Sequence, residues 1–169
     1  MAVLARRVSH AKWEATLGND RITADAVTAD LRTTNNSLSF WRCDASSDDG
    51  WHRAVLAVAA AADRPDRLDI VCLDEEDVRT LGLSTTNTPG TTPVASLRGH
   101  HVDIVQLDLG GLSDLAQLVA TARRSKPEEH RMSRRRVVEL VARAVSDGLV
   151  CVADLKDGMK SAVTERLGQ

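Results

Sequence analysis

The chain has 169 residues, of which 43% are hydrophobic, 27% are charged and 2% are aromatic, and its formal net charge is −2. This length and composition predict one globular domain and disfavour a nucleic-acid groove built on stacked aromatic rings. No apolar run approaches the ~20 residues of a membrane span, and nothing resembles a signal peptide. We therefore expect no membrane partner. Because the three cysteines are widely spaced, we also expect free thiols and a cytoplasmic protein.

The N-terminal part of the chain gives few structural signals. Residues 1–20 are polar and irregular in pattern, so no regular element is predicted there. Thr23 is placed to cap a short helix over residues 24–33. The Asn-Asn pair at residues 35–36 then predicts a turn.

A strand–helix–strand pattern follows this turn. Residues 38–43 are apolar and predict a strand. The apolar positions of residues 51–62 repeat at helical spacing from Trp51 onward, which predicts an amphipathic helix. Residues 68–73 form a nearly continuous apolar strand, and this order favours a right-handed parallel unit.

The next segment combines two short elements with a long loop. Residues 74–82 predict a short helix that ends at Gly82. Residues 83–99 are rich in Thr, Pro and Gly, and a loop of this length is often functional or mobile. Residues 101–108 predict a third strand, and residues 112–124 predict the helix after it.

The C-terminal segment is predicted to be helical. Pro127 lies in a linker, Ser133 caps an amphipathic helix, and Gly148 ends it. The predicted fold is therefore an α/β domain over residues 1–125, with an irregular segment over residues 1–20. It would hold a small, mainly parallel sheet of three or four strands flanked by helices, and residues 126–169 would form a C-terminal helical appendage.

An aspartate ends each predicted strand, at Asp44, Asp74 and Asp108. In a parallel sheet these carboxylates would share the edge at which open α/β sheets bind ligands, and carboxylate oxygens suit Mg²⁺. An alternative function is therefore a Mg²⁺-dependent phosphoryl-transfer enzyme, either a phosphohydrolase or a nuclease, with Gly110 and Gly111 binding the phosphate. The simpler interpretation needs no cofactor, because such aspartates also cap helices and form turns. One antiparallel strand would move its aspartate to the opposite edge.

Residues 38–52 concentrate chemically distinctive side chains. Trp41 and Trp51 are predicted to anchor a strand–turn–helix unit or an interface, because tryptophan is enriched at binding hot spots. Cys43 beside His52 raises the idea of an activated thiolate. Acidic neighbours would raise the pKa of that thiol, so a small buried residue is the better interpretation.

The charge is distributed unevenly along the chain. Residues 37–78 contain ten acidic and four basic side chains, whereas residues 123–136 contain seven basic and two acidic ones. Arg134, Arg135 and Arg136 fall in the first turn of a predicted helix, where the helix dipole disfavours cations by a few tenths to about 1 kcal/mol each. This placement indicates an external role, in contact with either nucleic-acid phosphates or an acidic protein surface.

The split charge, the absence of a catalytic motif and the long loop favour a non-enzymatic module that binds another protein. Such a module would be an accessory, regulatory or immunity-type component of a bacterial multi-protein system, and a homo-oligomer is also compatible with these features. The predicted contacts are the turn at residues 42–52, the loop at residues 84–99 and the arginine-rich helix start. The predicted interaction residues are Trp41, Trp51, His52, Arg134, Arg135 and Arg136. Nucleic-acid binding through residues 123–136 is the second alternative.

Overall fold

The computed structural model of the protein describes residues 2–18, 21–44, 49–125 and 130–168. Within these residues six strands form one sheet: β1 (Ala2–Val8), β2 (Leu38–Asp44), β3 (Leu68–Asp74), β4 (Ser84–Asn87), β5 (His101–Val105) and β6 (Arg131–Met132). The same residues form seven α-helices: α1 (His10–Leu17), α2 (Ala24–Asp30), α3 (Asp49–Ala60), α4 (Glu75–Thr80), α5 (Leu109–Ser125), α6 (Arg134–Ser146) and α7 (Asp157–Leu167).

The strand order is β4-β5-β2-β1-β3-β6, and every neighbouring pair is antiparallel. The prediction of a mainly parallel sheet of three or four strands is therefore wrong. The unit of β2, α3 and β3 does contain two strands that run in the same direction, but they are not neighbours. β1 lies between them, and its Ala5 is opposite Trp41 on one side and Cys72 on the other.

The central strand β1 lies in residues 1–20, which were expected to be irregular and which also contain α1. Arg6 and Arg7 interrupt its apolar pattern, and the fold accommodates both side chains. The Arg6 guanidinium donates to the backbone carbonyl oxygens of Asp30 at 2.8 Å and Ser39 at 2.6 Å, and its burial lowers the pKa of Arg6 to about 10. Arg7 forms an ion pair with Asp66 at 3.5 Å. Because two charged residues break its apolar pattern, the hydrophobicity of the sequence did not predict β1 as a strand.

Helices cover both faces of the sheet, which makes three layers. On one face α3, α6 and α7 pack on the sheet in a hydrophobic cluster that includes Val55, Ile70 and Val141. On the other face α1, α2, α4 and α5 surround a second cluster, which includes Trp13 and Leu115. Both sides of the sheet are therefore buried, and access to the strands remains at their ends and at the two outer edges.

The C-terminal helices share the first of these clusters with the sheet. Met132, Val137 and Met159 belong to the same buried group as Ala5 and Ile70 of the central strands. Residues from both sides of the proposed domain boundary thus contribute to one cluster. The division at residues 125 and 126 stays a prediction.

Several local signals of the sequence are confirmed. Thr23 and Ser133 each accept a backbone hydrogen bond at the start of a helix. Gly82 and Gly148 lie just beyond the ends of α4 and α6 with φ of 74° and 72°, the left-handed conformation that glycine adopts without strain. The asparagines at residues 35–36 also have positive φ and form the predicted turn. These caps, helix ends and turn depend on a few neighbouring residues, so the local sequence predicted them.

Candidate functional site

The strand-end aspartates lie at both ends of the strands of the sheet. Asp44 and Asp74 lie at the same end, because β2 and β3 run in the same direction. Asp108 follows β5, which is antiparallel to β2, so it lies at the opposite end. The carboxylate of Asp74 accepts from the amide of Glu76 at 2.9 Å, and that of Asp108 accepts from the amide of Gly111 at 2.7 Å. The expected arrangement of three aspartates at one edge is therefore wrong, together with the parallel sheet that implied it.

The glycines at the start of α5 have a packing role. The Gly111 amide, which was expected to bind an anion, already donates to Asp108. A Cβ on Gly111 would lie 2.9 Å from Cδ2 of Leu83, so the helix start and the segment before β4 are in close contact. Gly110 is in the same first turn and is exposed. Among the described residues, no group of three His, Cys, Asp or Glu side chains is placed to hold a metal ion.

A cavity of about 380 Å³ lies between the end of β2, the start of α3 and the 3-10 helix Ala95–His100; its lining includes Trp41, Cys43, Asp44, Arg53, Leu97 and His100. Cys43 is buried, and its Sγ donates to the carbonyl oxygen of Trp41 at 3.6 Å. Burial raises the pKa of the Cys43 thiol to about 11. The thiol is therefore protonated at neutral pH, as expected for a small buried residue and not for a nucleophile.

Trp41 anchors the long loop instead of facing solvent. A Cβ on Gly90 would lie 2.4 Å from the Trp41 ring, so glycine is needed where the loop crosses the indole. The His101 ring packs edge-on against Trp41 with centroids 5.0 Å apart, and its Nδ1 lies 2.8 Å from the Thr88 hydroxyl. The segment predicted as one loop contains β4 and the 3-10 helix. Its buried Val94 belongs to the hydrophobic cluster that α3, α6 and α7 form with the sheet. The loop thus covers part of the sheet face.

The structure brings Trp51 and His52 close to the arginine-rich helix start. The Trp51 and His52 rings have centroids 4.2 Å apart, and the His130 ring packs edge-on against Trp51 at 5.3 Å. His130 precedes the start of α6 by four residues. We define the tryptophan–arginine surface as Trp51, His52, His130, Arg134, Arg135 and Arg136. His130 was not predicted, because its contact with Trp51 arises from tertiary structure.

The arginines of this surface are exposed. Arg135 donates to Glu139 at 3.0 Å, one turn further along α6. Arg134 and Arg136 have no ion pair with any described residue. Among the described residues, three cations thus lie at the positive end of α6, and Glu139 is the carboxylate that pairs with one of them.

The other arginines proposed for nucleic-acid binding are involved in internal contacts. Arg123 is 2% exposed, and its guanidinium lies 3.0 Å from Nδ1 of His10. Arg124 donates to the carbonyl oxygen of Thr16 at 3.3 Å. Both side chains thus connect α5 to α1. Among the described arginines of residues 123–136, Arg124 and the three arginines in the first turn of α6 are exposed.

No family model, curated protein or solved structure matches the chain in comparisons with known proteins. None of the described helices is long and apolar enough to cross a membrane.

Proposed function

We propose that the protein is a non-enzymatic, cytoplasmic interaction module whose tryptophan–arginine surface binds an acidic surface of another protein. The observation that carries this proposal is the 5.3 Å ring contact between Trp51 and His130, which brings a half-buried indole to the segment that leads into α6, whose first three residues are exposed arginines. Tryptophan and arginine are the residue types most enriched at binding hot spots. Clustered cations also accelerate association with an acidic partner.

A protein partner is favoured over nucleic acid by the distribution of the arginines. Binding to a phosphate backbone gains affinity with each phosphate that is neutralised, and such sites usually extend along a stripe of cations. Here Arg123 is buried and Arg131 donates to Asp69, so among the described residues of this segment Arg124 and the start of α6 supply the exposed arginines. A compact basic patch next to an aromatic side chain is better suited to a protein interface.

The experiment compares three forms of the full chain as bait for affinity capture from the native host. These are the natural sequence, a Trp51→Ala variant and a variant with Arg134, Arg135 and Arg136 all changed to Glu. We expect a stoichiometric partner with an acidic contact surface. Both variants should lose that partner, because one removes the apolar centre of the surface and the other reverses its charge.

The matched control changes Arg32, Arg143 and Lys160 to Glu, which alters the net charge equally at exposed positions outside this surface. This control should retain the partner. Loss of the partner in the control, or its retention in both test variants, contradicts the proposal. Binding of a random 20-base-pair DNA duplex at low salt that is abolished only by the Arg134–Arg136 changes would instead favour the nucleic-acid alternative.

A further inference from the structure

The outer edge of β4 carries backbone groups that face away from the sheet. β4 is the terminal strand, and it pairs on one side with β5. The Thr88 amide donates to the carbonyl oxygen of its opposite residue, His101, at 3.2 Å. Because hydrogen-bonded and non-bonded pairs alternate along an antiparallel ladder, the N–H and C=O groups of Thr85 and Asn87 point outward.

Apart from its short length of four residues, the β4 edge lacks the usual features that prevent strand pairing. Natural edge strands are protected by very short length, by charged residues, by proline or by bulges. β4 has the sequence Ser-Thr-Thr-Asn, which contains none of these residues, and three of its four residues are exposed. β6 at the opposite edge contrasts with it, because β6 has two residues and one of them is Arg131.

Exposed leucines border this edge. Leu109 is 84% exposed and Leu81 is 39% exposed. Leu83 directly precedes β4 and contacts the start of α5 at Gly111. This contact places the segment of Leu81 beside the segment of Leu109, so that β4 begins next to an apolar surface.

The surroundings of β4 are acidic. Residues 75–87 and 101–114 together contain six carboxylates and one guanidinium, and Arg42 of β2 adds a second guanidinium, which donates to Asn87 at 2.7 Å. Glu75 is paired with Arg42, and Glu76 with Arg79. The other four carboxylates form no ion pair with a described residue: Asp77, Asp103, Asp108 and Asp114.

We propose that the β4 edge binds an extended segment of another protein as an added strand, and that this segment alternates apolar and basic residues. Main-chain hydrogen bonds to Thr85 and Asn87 would supply affinity, and alternate side chains would supply specificity. Its apolar residues would contact Leu81 and Leu109, and its basic residues would face the acidic surroundings. A second copy of this chain is a poorer occupant, because a twofold β4–β4 contact would bring two acidic surfaces together.

The probe for this test is a synthetic eight-residue peptide that alternates valine and lysine, with blocked ends. The control peptide alternates valine and glutamate. Titrations of the full chain at low salt are followed by amide chemical shifts and by hydrogen exchange. We expect the Val–Lys peptide alone to bind, with the largest shifts on β4 and with slowed exchange at the Thr85 and Asn87 amides.

The critical variant is Thr85→Pro, which removes an outward N–H and leaves the hydrogen bonds to β5 in place, since proline is tolerated on the outer side of an edge strand. We expect at least about tenfold weaker peptide binding, the equivalent of one lost hydrogen bond. A second variant, Asp77→Lys with Asp114→Lys, keeps the strand intact and should weaken the Val–Lys peptide while it admits the Val–Glu peptide.

Three results would overturn the proposal. The first is the absence of any shift at millimolar Val–Lys peptide. The second is binding whose shifts map away from β4 or persist unchanged in both variants. The third is a concentration-dependent dimer of the natural chain that Thr85→Pro abolishes, because a second copy would then be the occupant.

Discussion

The two outer edges of the sheet differ in length, charge and anchoring. At one edge β6 has two residues, and Arg131 donates to the buried carboxylate of Asp69 at 2.8 Å. At the other edge β4 has four uncharged residues beside exposed leucines and acidic side chains. The shortness and charge of β6 thus disfavour strand addition at its edge. The neighbouring helix α6 carries exposed arginines in its first turn. At the other edge, alternate main-chain groups of β4 point away from β5. The comparison teaches that one sheet can present two surfaces that suit partners of opposite charge.

The largest expected effect concerns the anchoring of β6. Asp69 is 5% exposed and also lies 3.5 Å from Arg67, so Asp69→Ala leaves two cations without this carboxylate. We expect the free energy of unfolding to fall by about 3 kcal/mol, the lower end of the cost of breaking a buried ion pair, because Arg67 and Arg131 keep partial access to water. Urea denaturation measures this change.

The matching carboxylate at the β4 end is Asp103, which accepts from the hydroxyls of Ser39 and Thr88. Asp103→Ala should cost less, about 1 to 3 kcal/mol, because neutral hydroxyls can turn to water. Equal losses in the free energy of unfolding in the two variants would show that both edges are anchored equally strongly, contrary to the difference in anchoring described above.

The next effect concerns the loop that follows β4. Gly90→Ala would force a methyl group into the Trp41 ring, and we expect a loss of about 1 to 3 kcal/mol of stability, as for other overpacked sites. Gly99→Ala in the same segment is the control, because a Cβ there has nothing within 4 Å. It should change stability by at most about 0.5 kcal/mol. If both variants unfold at the same urea concentration, Trp41 does not anchor the loop.

A smaller effect, of opposite sign, is expected at the tryptophan–arginine surface. Arg134→Gln and Arg136→Gln each remove a cation from the positive end of α6, so each should raise stability by about 0.3 to 1 kcal/mol at low salt. Arg143→Gln in the last turn removes a favourably placed cation, and stability should fall by a similar amount. Thermal unfolding at two salt concentrations measures both changes, which should shrink as salt is added. A loss of stability in the first two variants would show that these arginines support the fold.

The smallest effect on stability is expected at the exposed leucines. Leu109→Gln and Leu149→Gln should each change the free energy of unfolding by no more than about 0.5 kcal/mol, because both side chains are substantially exposed. Binding of the Val–Lys peptide should separate them, since Leu109 borders β4. Weaker peptide binding in Leu109→Gln alone sharpens the comparison of the two edges. Equal binding by both variants contradicts a role for the apolar surface.

Much of the local structure was predictable from the sequence. Thr23 and Ser133 cap helices, Gly82 and Gly148 end them, and the apolar spacing of α3 follows directly from its residues. Each of these signals acts within a few positions, through hydrogen bonds to nearby amides or through one buried helix face. The sequence by itself therefore determined that helices begin after Thr23 and Ser133 and end before Gly82 and Gly148, and that residues 38–43 and 68–73 form strands.

The arrangement of the strands was decided by the tertiary structure. β1 lies between β2 and β3 because its apolar residues, Leu4 and Val8 on one face and Ala5 on the other, complete both clusters. Its two arginines are accommodated by partners that are distant in the chain. Strand pairing depends on burial and on such non-local partners, so no local pattern specifies it. The same reason separates Asp108 from Asp44 and Asp74 and brings His130 to Trp51, because both results follow from how distant strands and helices pack.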